Sequence, residues 1–337
     1  MTDGAELTVA VDAMGGDHAP EAVVDGAIAA ARSLDVGLAL VGPAVRLEEE
    51  LARRETAGLR ISVVDAPDVV PMDEPPLVAL RRRRRASVRV AADLVAAGEA
   101  AAFFSAGHSG ATLLAAHAAL GLMPGVGRPA LAVTVPTQRG AAVLLDAGAN
   151  VDCRVDHLVQ FAHLGSAYAS VAMDLPTPKV GLLSIGEEAR KGPDLVREAH
   201  ERLQHEALNF IGNVDARELF TGRADVVVCD GFTGNIALKV GEGLVDSLEE
   251  MLRRELDAAL VSQIGGLVMR RAFARVRQRV DYAEYGAAPL LGVRGLALVG
   301  HGRSSSRAVK SGIAMAVRLA GARLPARLGA ALTPAAG

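Results

Sequence analysis

The hydrophobic positions of the chain come in short runs, and most runs are followed by a polar loop that contains glycine. The first run covers residues 9–11 and leads into Asp12-Ala13-Met14-Gly15-Gly16-Asp17-His18, after which Pro20 opens a segment with helical periodicity. A strand, a Gly-rich loop and a helix start in this order are typical of α/β proteins, whose ligands bind beyond the carboxyl ends of parallel strands. The recurrence of this order predicts an α/β fold with a mostly parallel sheet.

The same alternation predicts the positions of the other elements. Strands are expected at residues 9–11, 36–41, 60–64, 101–104, 129–135, 141–145, 180–185, 209–212, 224–229 and 296–299. Helices are expected at residues 21–33, 46–54, from 77 onward, 111–121 and 155–173, and after residues 193 and 235. We expect the loops that follow the strands to gather at one edge of the sheet around a single cleft. One α/β domain over residues 7–322, undivided or in two lobes around that cleft, should precede a flexible tail over residues 323–337.

Composition narrows the functional classes. Half of the 337 residues are hydrophobic but only 3% are aromatic, which suits parallel strands buried between helices in three α/β/α layers. The net charge of −3 provides no broad basic field, so we expect no nucleic-acid partner. Cys153 and Cys229 lie far apart, which indicates reduced thiols rather than a metal site. The short acidic start has no apolar signal segment, which indicates a cytoplasmic protein.

Common catalytic signatures are missing from the loops. The first loop lacks the Gly-x-Gly-x-x-Gly fingerprint of dinucleotide binding, and the chain has no P-loop and no His-Glu-x-x-His zinc motif. The loop Gly107-His108-Ser109-Gly110 falls short of the Gly-x-Ser-x-Gly nucleophile elbow. Two features instead favour an anionic ligand. Lys191 stands at a helix start, and residues 300–307 combine His301 with hydroxyl and guanidinium groups suited to phosphate.

The helix expected from residue 77 carries a run of five arginines: Arg81, Arg82, Arg83, Arg84 and Arg85. Consecutive helical residues are about 100° apart, so the run would encircle the helix, with some side chains toward solvent and others toward the protein. The pattern fits a solvated charged surface, and it equally fits a cationic docking surface for an acidic partner or a phosphate.

Residues 260–273 form an uncharged apolar turn followed by a basic amphipathic stretch. This pattern is compatible with a dimer or core contact. It is also compatible with shallow insertion into a membrane interface, with arginines near anionic headgroups. The apolar residues that would insert are Leu260, Ile264, Leu267, Val268 and Phe273.

Six polar stretches follow one another along nearly the whole chain. They are Val11-Asp12-Ala13-Met14-Gly15-Gly16-Asp17-His18-Ala19-Pro20, Ser105-Ala106-Gly107, Leu145-Asp146-Ala147-Gly148-Ala149-Asn150-Val151-Asp152, Gly212-Asn213-Val214, Asp230-Gly231-Phe232-Thr233-Gly234-Asn235 and His301-Gly302. In this order they resemble the PlsX family, the phosphate acyltransferases of bacterial phospholipid synthesis. Two positions depart from the family pattern. The family usually carries Asn-Thr in place of His108-Ser109, and commonly His-Gly-Ser-Ser-Asp in place of His301-Gly302-Arg303-Ser304-Ser305.

The resemblance implies an activity, a fold and a set of partners. A fatty acyl group would pass from acyl carrier protein to inorganic phosphate, and a glycerol-3-phosphate acyltransferase would use the resulting acyl phosphate. The fold would be similar to that of isocitrate/isopropylmalate dehydrogenase and of phosphotransacetylase, without a cofactor or metal. A homodimer with peripheral contact at the inner face of the cell membrane is expected. Because acyl carrier protein is acidic, the arginine run is the expected docking surface.

Roles for individual residues follow from the resemblance and from the needs of the reaction. Lys191, His301 and Ser304 are expected to bind phosphate. His18 or His108 is expected to donate a proton to the oxyanion or to the leaving thiolate.

The first loop is expected to form one wall of the substrate cleft. Asp12 and Asp17 would repel phosphate, so we expect them to orient neighbouring loops. The other substrate-binding candidates are Gly15, Gly16, Ser105, Gly107, Ser109, Asn150, Asn213, Asp230, Asn235 and Gly302.

Other functions remain compatible with the sequence. A CoA-dependent phosphotransacylase would differ in its acyl donor. A metal- and NAD-dependent decarboxylating dehydrogenase on the related fold could place Mg²⁺ among aspartates such as Asp12 and Asp146, and dialysis against EDTA would test it. A non-enzymatic, membrane-recruited scaffold would leave the polar loops unexplained.

Insertion of residues 260–273 into a membrane predicts that Leu267→Glu weakens binding to anionic liposomes, because a carboxylate opposes burial of the apolar turn. Flotation of the wild type and of this variant measures the effect, and Leu267→Met is the apolar control. Equal flotation of wild type and Leu267→Glu would exclude the segment as an anchor.

Overall fold

The structure is a computed structural model and describes residues 7–257, 269, 271 and 286–332. The strands are β1 Thr8–Asp12, β2 Gly37–Gly42, β3 Ile61–Asp65, β4 Ala102–Ser105, β5 Ala130–Thr137, β6 Gly140–Leu145, β7 Val180–Ser184, β8 Phe210–Asp215, β9 Val226–Val228, β10 Ala288–Leu291 and β11 Ala297–Val299. The helices are α1 Glu21–Ser33, α2 Ala44–Ala52, α3 Pro76–Arg82, α4 Ser87–Ala96, α5 Ser109–Leu120, α6 Val155–Ala172, α7 Asp194–Leu203, α8 Gly231–Asp257, α9 Ser306–Gly321 and α10 Leu324–Leu332.

The strands form one sheet in the order β3-β2-β1-β4-β11-β10-β5-β6-β9-β7-β8. One set, β3, β2, β1, β4 and β11, is mutually parallel. The other set, β6, β9, β7 and β8, is also mutually parallel. Between the sets, β10 is antiparallel to both β11 and β5, and β5 is antiparallel to β6. The two parallel sets therefore run in opposite directions.

We predicted that the loops after the strands gather around a single cleft at one edge of the sheet. Because the two parallel sets run in opposite directions, these loops lie at two edges instead. Loops that follow β1, β4 and β11 lie at one edge, which we call the first edge. Loops that follow β6, β7 and β9 lie at the opposite, second edge. The reversal depends on the antiparallel pairing of β5 with its neighbour β6 and with β10, and β10 comes from a distant part of the chain.

Helices cover both faces of the first set. On β1, Val9 and Val11 belong to a core cluster with residues of α1 and α9, whereas Ala10 belongs to a second cluster with residues of α4 and α5. This alternation follows from the two-residue period of a strand. The predicted α/β fold with a mostly parallel sheet is confirmed, and its three layers follow from the buried positions.

The arginine run does not lie on one helix. Helix α3 ends at Arg82, and Arg83 leaves the helical conformation with φ −105° and ψ 83°. The chain breaks there because the next residues bond to the loop after β3: the Asp68 N–H donates to the Arg85 carbonyl at 3.3 Å, and the Ser87 N–H donates to the Asp68 carbonyl at 3.0 Å. The expected continuous helix from residue 77 was therefore wrong.

Residues 324–332 are helical, within the segment where we expected a flexible tail. Helix α10 buries Leu324 and Leu328 in the main core, at the spacing of four that places them on one face. Strand β10 was also missed, because its four residues, Ala-Pro-Leu-Leu, are too few to show a two-residue period.

The segment proposed to contact a membrane cannot be placed. Leu260, Ile264, Leu267, Val268 and Phe273 lie outside the described residues. Among the helices that the structure does describe, none has the length and apolar character needed to cross a bilayer.

Candidate active site

A buried network joins the ends of β1 and β4 at the first edge. The Ser105 hydroxyl donates to Asp12 Oδ2 at 2.6 Å and accepts from the Gly107 N–H at 3.2 Å. Burial raises the pKa of Asp12, and hydrogen bonds from Ser105, Ser87 and the Met14 N–H counteract part of that rise. Asp12 thus holds neighbouring segments together, as expected for a residue that orients loops.

The glycines of the first loop allow close contact between loops. A Cβ on Gly15 would lie 2.7 Å from both Asp12 Oδ2 and the Gly107 nitrogen. Gly16 has φ +111°, and a Cβ there would lie 3.1 Å from the Gly302 carbonyl oxygen. Beside it, the Asp17 N–H donates to that same carbonyl at 2.8 Å. These glycines therefore make room for neighbouring protein atoms. Both also line a pocket at this edge, and their expected contact with substrate stays a prediction.

His108 stands at the start of α5, where its Nδ1 accepts from the Gly110 N–H at 3.1 Å. Because Nδ1 is an acceptor, the neutral ring carries its proton on Nε2. The ring is half-buried and lines a pocket that Asp12 and Gly107 also line. His108 can therefore present a hydrogen-bond donor at the start of a helix, beside the buried network. Its neighbour Ser109 is exposed.

His301 is held in the same way after β11. Its Nδ1 accepts from the Arg303 N–H at 3.2 Å, so the neutral ring carries its proton on Nε2. Burial lowers the pKa of His301 below its ordinary value of 6.5. The Ser304 hydroxyl donates to the His301 carbonyl at 2.6 Å and is buried. This hydrogen bond stabilises the loop, and the expected role of Ser304 in binding phosphate stays a prediction.

The other charged residues of the first loop lie at the surface. Asp17 and His18 are both exposed. Asp17 nevertheless acts electrostatically on His301 and raises its pKa, against the effect of burial. His18 belongs to the turn before α1, where its carbonyl accepts from the Ala22 N–H at 3.0 Å. Of the two histidines proposed as donors, His108 is the one that lines the pocket.

At the second edge, Asp146 organises the loop after β6. Its Oδ1 accepts from the N–H groups of Leu131, Gly148 and Ala149 at 3.0, 3.1 and 2.9 Å. Its Oδ2 accepts from the Asn150 N–H and Nδ2 at 2.7 and 2.8 Å. Burial raises the pKa of Asp146, whereas these bonds lower it. Asn150 is thus held within the protein, and its expected contact with substrate stays a prediction.

The loop after β9 also serves the fold. Asp230 accepts from the Thr233 N–H at 2.8 Å and from the Thr233 hydroxyl at 2.7 Å, which caps the start of α8. Asn235 lies in the first turns of α8, and its side chain would lie 3.6 Å from a Cβ on Gly148. These contacts pack the start of α8 against the loop after β6.

Lys191 and Asn213 also belong to the second edge. Asn213 is buried in β8, where Nδ2 donates to the Glu188 carbonyl at 2.9 Å and Oδ1 lies 2.9 Å from His200 Nδ1. These bonds fix the loop that carries Lys191, whose side chain is exposed. The topology puts this loop at the edge opposite His301, so it does not bring Lys191 together with the His301 loop.

Two charged residues of helix α8, which the sequence predictions did not include, act electrostatically on His301. The charges of Lys239 and Glu242, on α8, both act on the His301 ring. Helix α8 starts at the second edge after β9, so these two charges show that it extends toward the first edge. The sequence contained a clue to these residues. Lys239 lies one helical turn after Asn235, in the helix predicted to follow the polar loop of residues 230–235.

The arginine run is divided between two roles. Arg83 forms an ion pair with Glu74, and Arg85 Nη2 lies 2.8 Å from Asp65 Oδ2. Both acidic partners belong to the segment between the end of β3 and the start of α3. The other members of the run, all exposed, are Arg81, Arg82 and Arg84, and Arg82 Nη1 also lies 3.8 Å from Glu74 Oε1.

Comparison with known proteins identifies the family. The family model described as "Fatty acid synthesis protein" matches residues 7–327. A phosphate acyltransferase from Nitratidesulfovibrio vulgaris is 50% identical over 309 residues, which cover 91% of this chain and 90% of the relative. The chain belongs to the PlsX family of phosphate acyltransferases. A family member from Citrifermentans bemidjiense is 48% identical over 92% of this chain and 88% of its own length. The predicted resemblance and acyltransferase class are confirmed.

Solved structures agree on the fold. A phosphotransacetylase from Streptococcus pyogenes matches with a TM-score of 0.64 and 17% identity, covering 94% of each chain. A protein from Salmonella typhimurium, titled as a 4-hydroxythreonine-4-phosphate dehydrogenase, matches with a TM-score of 0.51 and 13% identity over 93% of this chain and 99% of its own. At this identity the likeness concerns the fold alone, and it confirms the predicted dehydrogenase-like fold of this PlsX-family chain.

The lowered pKa of His301 predicts a pH dependence that NMR can measure. Between the native pKa and 6.5, the unfolded chain binds more protons at this site than the native protein. The contribution of His301 to the free energy of unfolding is therefore present above pH 6.5 and is lost as the pH falls through the native pKa of this residue. Imidazole ¹⁵N spectra in phosphate-free buffer should show the titration of His301 below that of the urea-unfolded chain. The His301→Gln spectrum assigns the signal, and a native pKa at or above the unfolded one would contradict a ring whose charged form is disfavoured by burial.

Proposed function

We propose that this chain transfers a fatty acyl group from acyl carrier protein to inorganic phosphate. The product, an acyl phosphate, would serve an acyltransferase that acylates glycerol 3-phosphate. One observation carries the proposal beyond family membership. The adjacent parallel strands β4 and β11 each end in a loop with a histidine whose Nδ1 accepts a backbone N–H, so that both neutral rings carry their proton on Nε2. Two imidazole donors in neighbouring loops fit one phosphate and one carbonyl oxygen.

The reaction needs positioning and oxyanion stabilisation more than a strong base. An oxygen of HPO₄²⁻ forms a bond to the thioester carbonyl carbon, and the carbon–sulfur bond breaks to release the thiolate of the carrier. The proton that the phosphate brings passes to that thiolate. His108 donates to the oxyanion through Nε2, and His301 donates to phosphate. Because neither imidazole changes its charge, the lowered pKa of His301 suits this role.

The phosphate is proposed to bind beside the His301 loop. Arg303 and Lys239 bring positive charge toward His301, while Asp17 and Glu242 bring negative charge that offsets part of it. The start of α9 follows directly and adds the positive end of its dipole. In this proposal Lys239 replaces Lys191 as the lysine nearest to phosphate.

The donor is tested by comparing a long-chain acyl carrier protein thioester with the corresponding acyl-CoA. Acyl phosphate, trapped with hydroxylamine, should form only with added phosphate, and kcat/KM should be higher for the carrier protein thioester. A preference for acyl-CoA would instead favour a CoA-dependent phosphotransacylase.

The proposed role of His108 is tested in the same assay. Loss of the His108 donor in His108→Phe should lower kcat by about 100-fold, the usual effect of removing one oxyanion donor.

We propose that acyl carrier protein docks on the exposed arginines Arg81, Arg82 and Arg84. Complementary charge mainly raises the rate of encounter, so the effect of removing it should be largest at low salt. In the same assay, Arg84→Glu should raise the KM for the carrier protein thioester several-fold at low salt. Arg139→Glu reverses the charge of another exposed arginine, in the turn between β5 and β6, and should leave that KM unchanged. Equal KM values for the two variants would remove the arginine run as a docking surface.

We propose that a second copy of the chain covers helix α8. Its exposed apolar side chains recur every four residues, which forms a stripe along the helix. A symmetric dimer can bury such a stripe against its own copy. The stripe consists of Phe232, Ile236, Val240, Leu244 and Leu248. Peripheral contact at the inner face of the cell membrane, through residues 260–273, stays part of the proposal on sequence grounds.

The dimer predicts that Leu244→Glu shifts the protein to the monomer in sedimentation velocity, because the interface would bury a carboxylate. Asp246→Lys changes charge on the opposite side of the same helix and should remain dimeric. An unchanged mass for Leu244→Glu would exclude α8 as the interface.

A further inference from the structure

A pocket of about 190 Å³ opens between the ends of β1 and β4 and the loop of residues 66–75. Its lining includes polar side chains from Asp12, Ser87 and His108 and an apolar wall to which Met14, Val70 and Met72 contribute. Val70 is half-buried and also packs against the core cluster around β1 and α4, so this wall rests on the fold. The pocket therefore offers both hydrogen-bonding groups and hydrocarbon surface.

The loop of residues 66–75 is tied down at both ends. Near its start, Asp65 pairs with Arg85 at 2.8 Å, and the Arg85 N–H donates to Asp68 Oδ2 at 3.2 Å. Near its end, Glu74 pairs with Arg83. Two members of the arginine run thus position the apolar residues between these anchors over the pocket.

The chemistry of the pocket selects its occupant. Among the described residues that line the pocket there is no lysine or arginine, so the pocket does not suit phosphate. An uncharged carbonyl attached to an alkyl chain suits it, because the Nε2 proton of His108 can meet the carbonyl oxygen while Val70 and Met14 contact the chain. The volume is below the roughly 300–1,000 Å³ of pockets that enclose a drug-sized ligand, so only the reactive end of a long acyl group would fit.

Met72 lies between the pocket and the loop that contains His301. Met72 is 52% exposed, and its Cε would lie 3.4 Å from a Cβ on Gly302, next to His301. A carbonyl held in the pocket would therefore be near the loop proposed to bind phosphate. The remaining chain would pass outward over Met72.

We propose that this pocket binds the thioester carbonyl and the first carbons of the acyl group, and that Val70 and Met72 determine which acyl groups fit. The inference rests on the proposed function, since it assumes an acyl thioester as donor. An apolar wall beside the carbonyl discriminates against acyl groups that branch next to the thioester. Val70 and Met72 are specificity-determining residues, and Arg83 and Arg85 position them.

The test compares straight-chain and 2-methyl-branched acyl carrier protein thioesters of equal length. The wild type should favour the straight chain by about 10-fold or more in kcat/KM, the range for one misplaced methyl group. Val70→Ala removes part of the wall and should reduce that ratio several-fold, with an unchanged KM for phosphate. Val45→Ala, at a position that is 71% exposed on α2, is the control and should keep the wild-type ratio.

Met72→Ala provides a second variant at an exposed position, where loss of folding is not expected. It should raise the KM for both thioesters without changing the KM for phosphate. Wild-type ratios in Val70→Ala, together with wild-type KM values in Met72→Ala, would overturn the pocket assignment while the acyltransferase function stands. Absence of acyl phosphate from either thioester with the wild type would overturn the proposed function, and the pocket assignment with it.

Discussion

The buried hydrogen bond from Ser105 to Asp12 is the contact on which the first edge depends. Ser105 touches three loops at once: its hydroxyl bonds to Asp12 and to the Gly107 N–H, and its carbonyl accepts from the Gly300 N–H at 2.8 Å. A carboxyl group enclosed by protein is stable there only if its oxygens are hydrogen-bonded. The hydrogen bonds of Ser105 to Asp12, Gly107 and Gly300 therefore fix the relative positions of the loops that carry His108 and His301.

The reversal of direction within the sheet divides the polar loops into two groups. At the second edge the polar side chains mainly hold the protein together, as the five hydrogen bonds to Asp146 illustrate. Helix α8 connects the groups, because its start is packed at the second edge while Lys239 and Glu242 act on His301. The proposed stripe for a second copy lies on the same helix. A dimer contact there would be coupled through α8 to the charges around His301.

The arginine run shows how one sequence feature can serve two purposes. The break after Arg82 separates the run from a regular helix, and the ion pairs of Arg83 and Arg85 then hold the loop of residues 66–75. Exposed surface ion pairs contribute little to stability, with a median of about 0–1 kcal/mol. Their importance here lies in geometry, since they place Val70 and Met72 over the pocket. The exposed residues Arg81, Arg82 and Arg84 remain as candidates for binding an acidic partner.

The sequence by itself determined the class of fold, most strands and helices, the family and the loops that contain Asp12, His108 and His301. These features are local, because a strand, a Gly-rich loop and a capped helix are encoded within a few neighbouring residues. The direction of the second parallel set was decided only by tertiary structure, since β5 pairs with β10 from a distant part of the chain. The hydrogen-bond partners of Ser304, Asn150 and Asn213 were decided in the same way. A polar side chain looks alike in sequence whether it binds a ligand or a buried backbone group, and only the folded chain supplies the atom that it contacts.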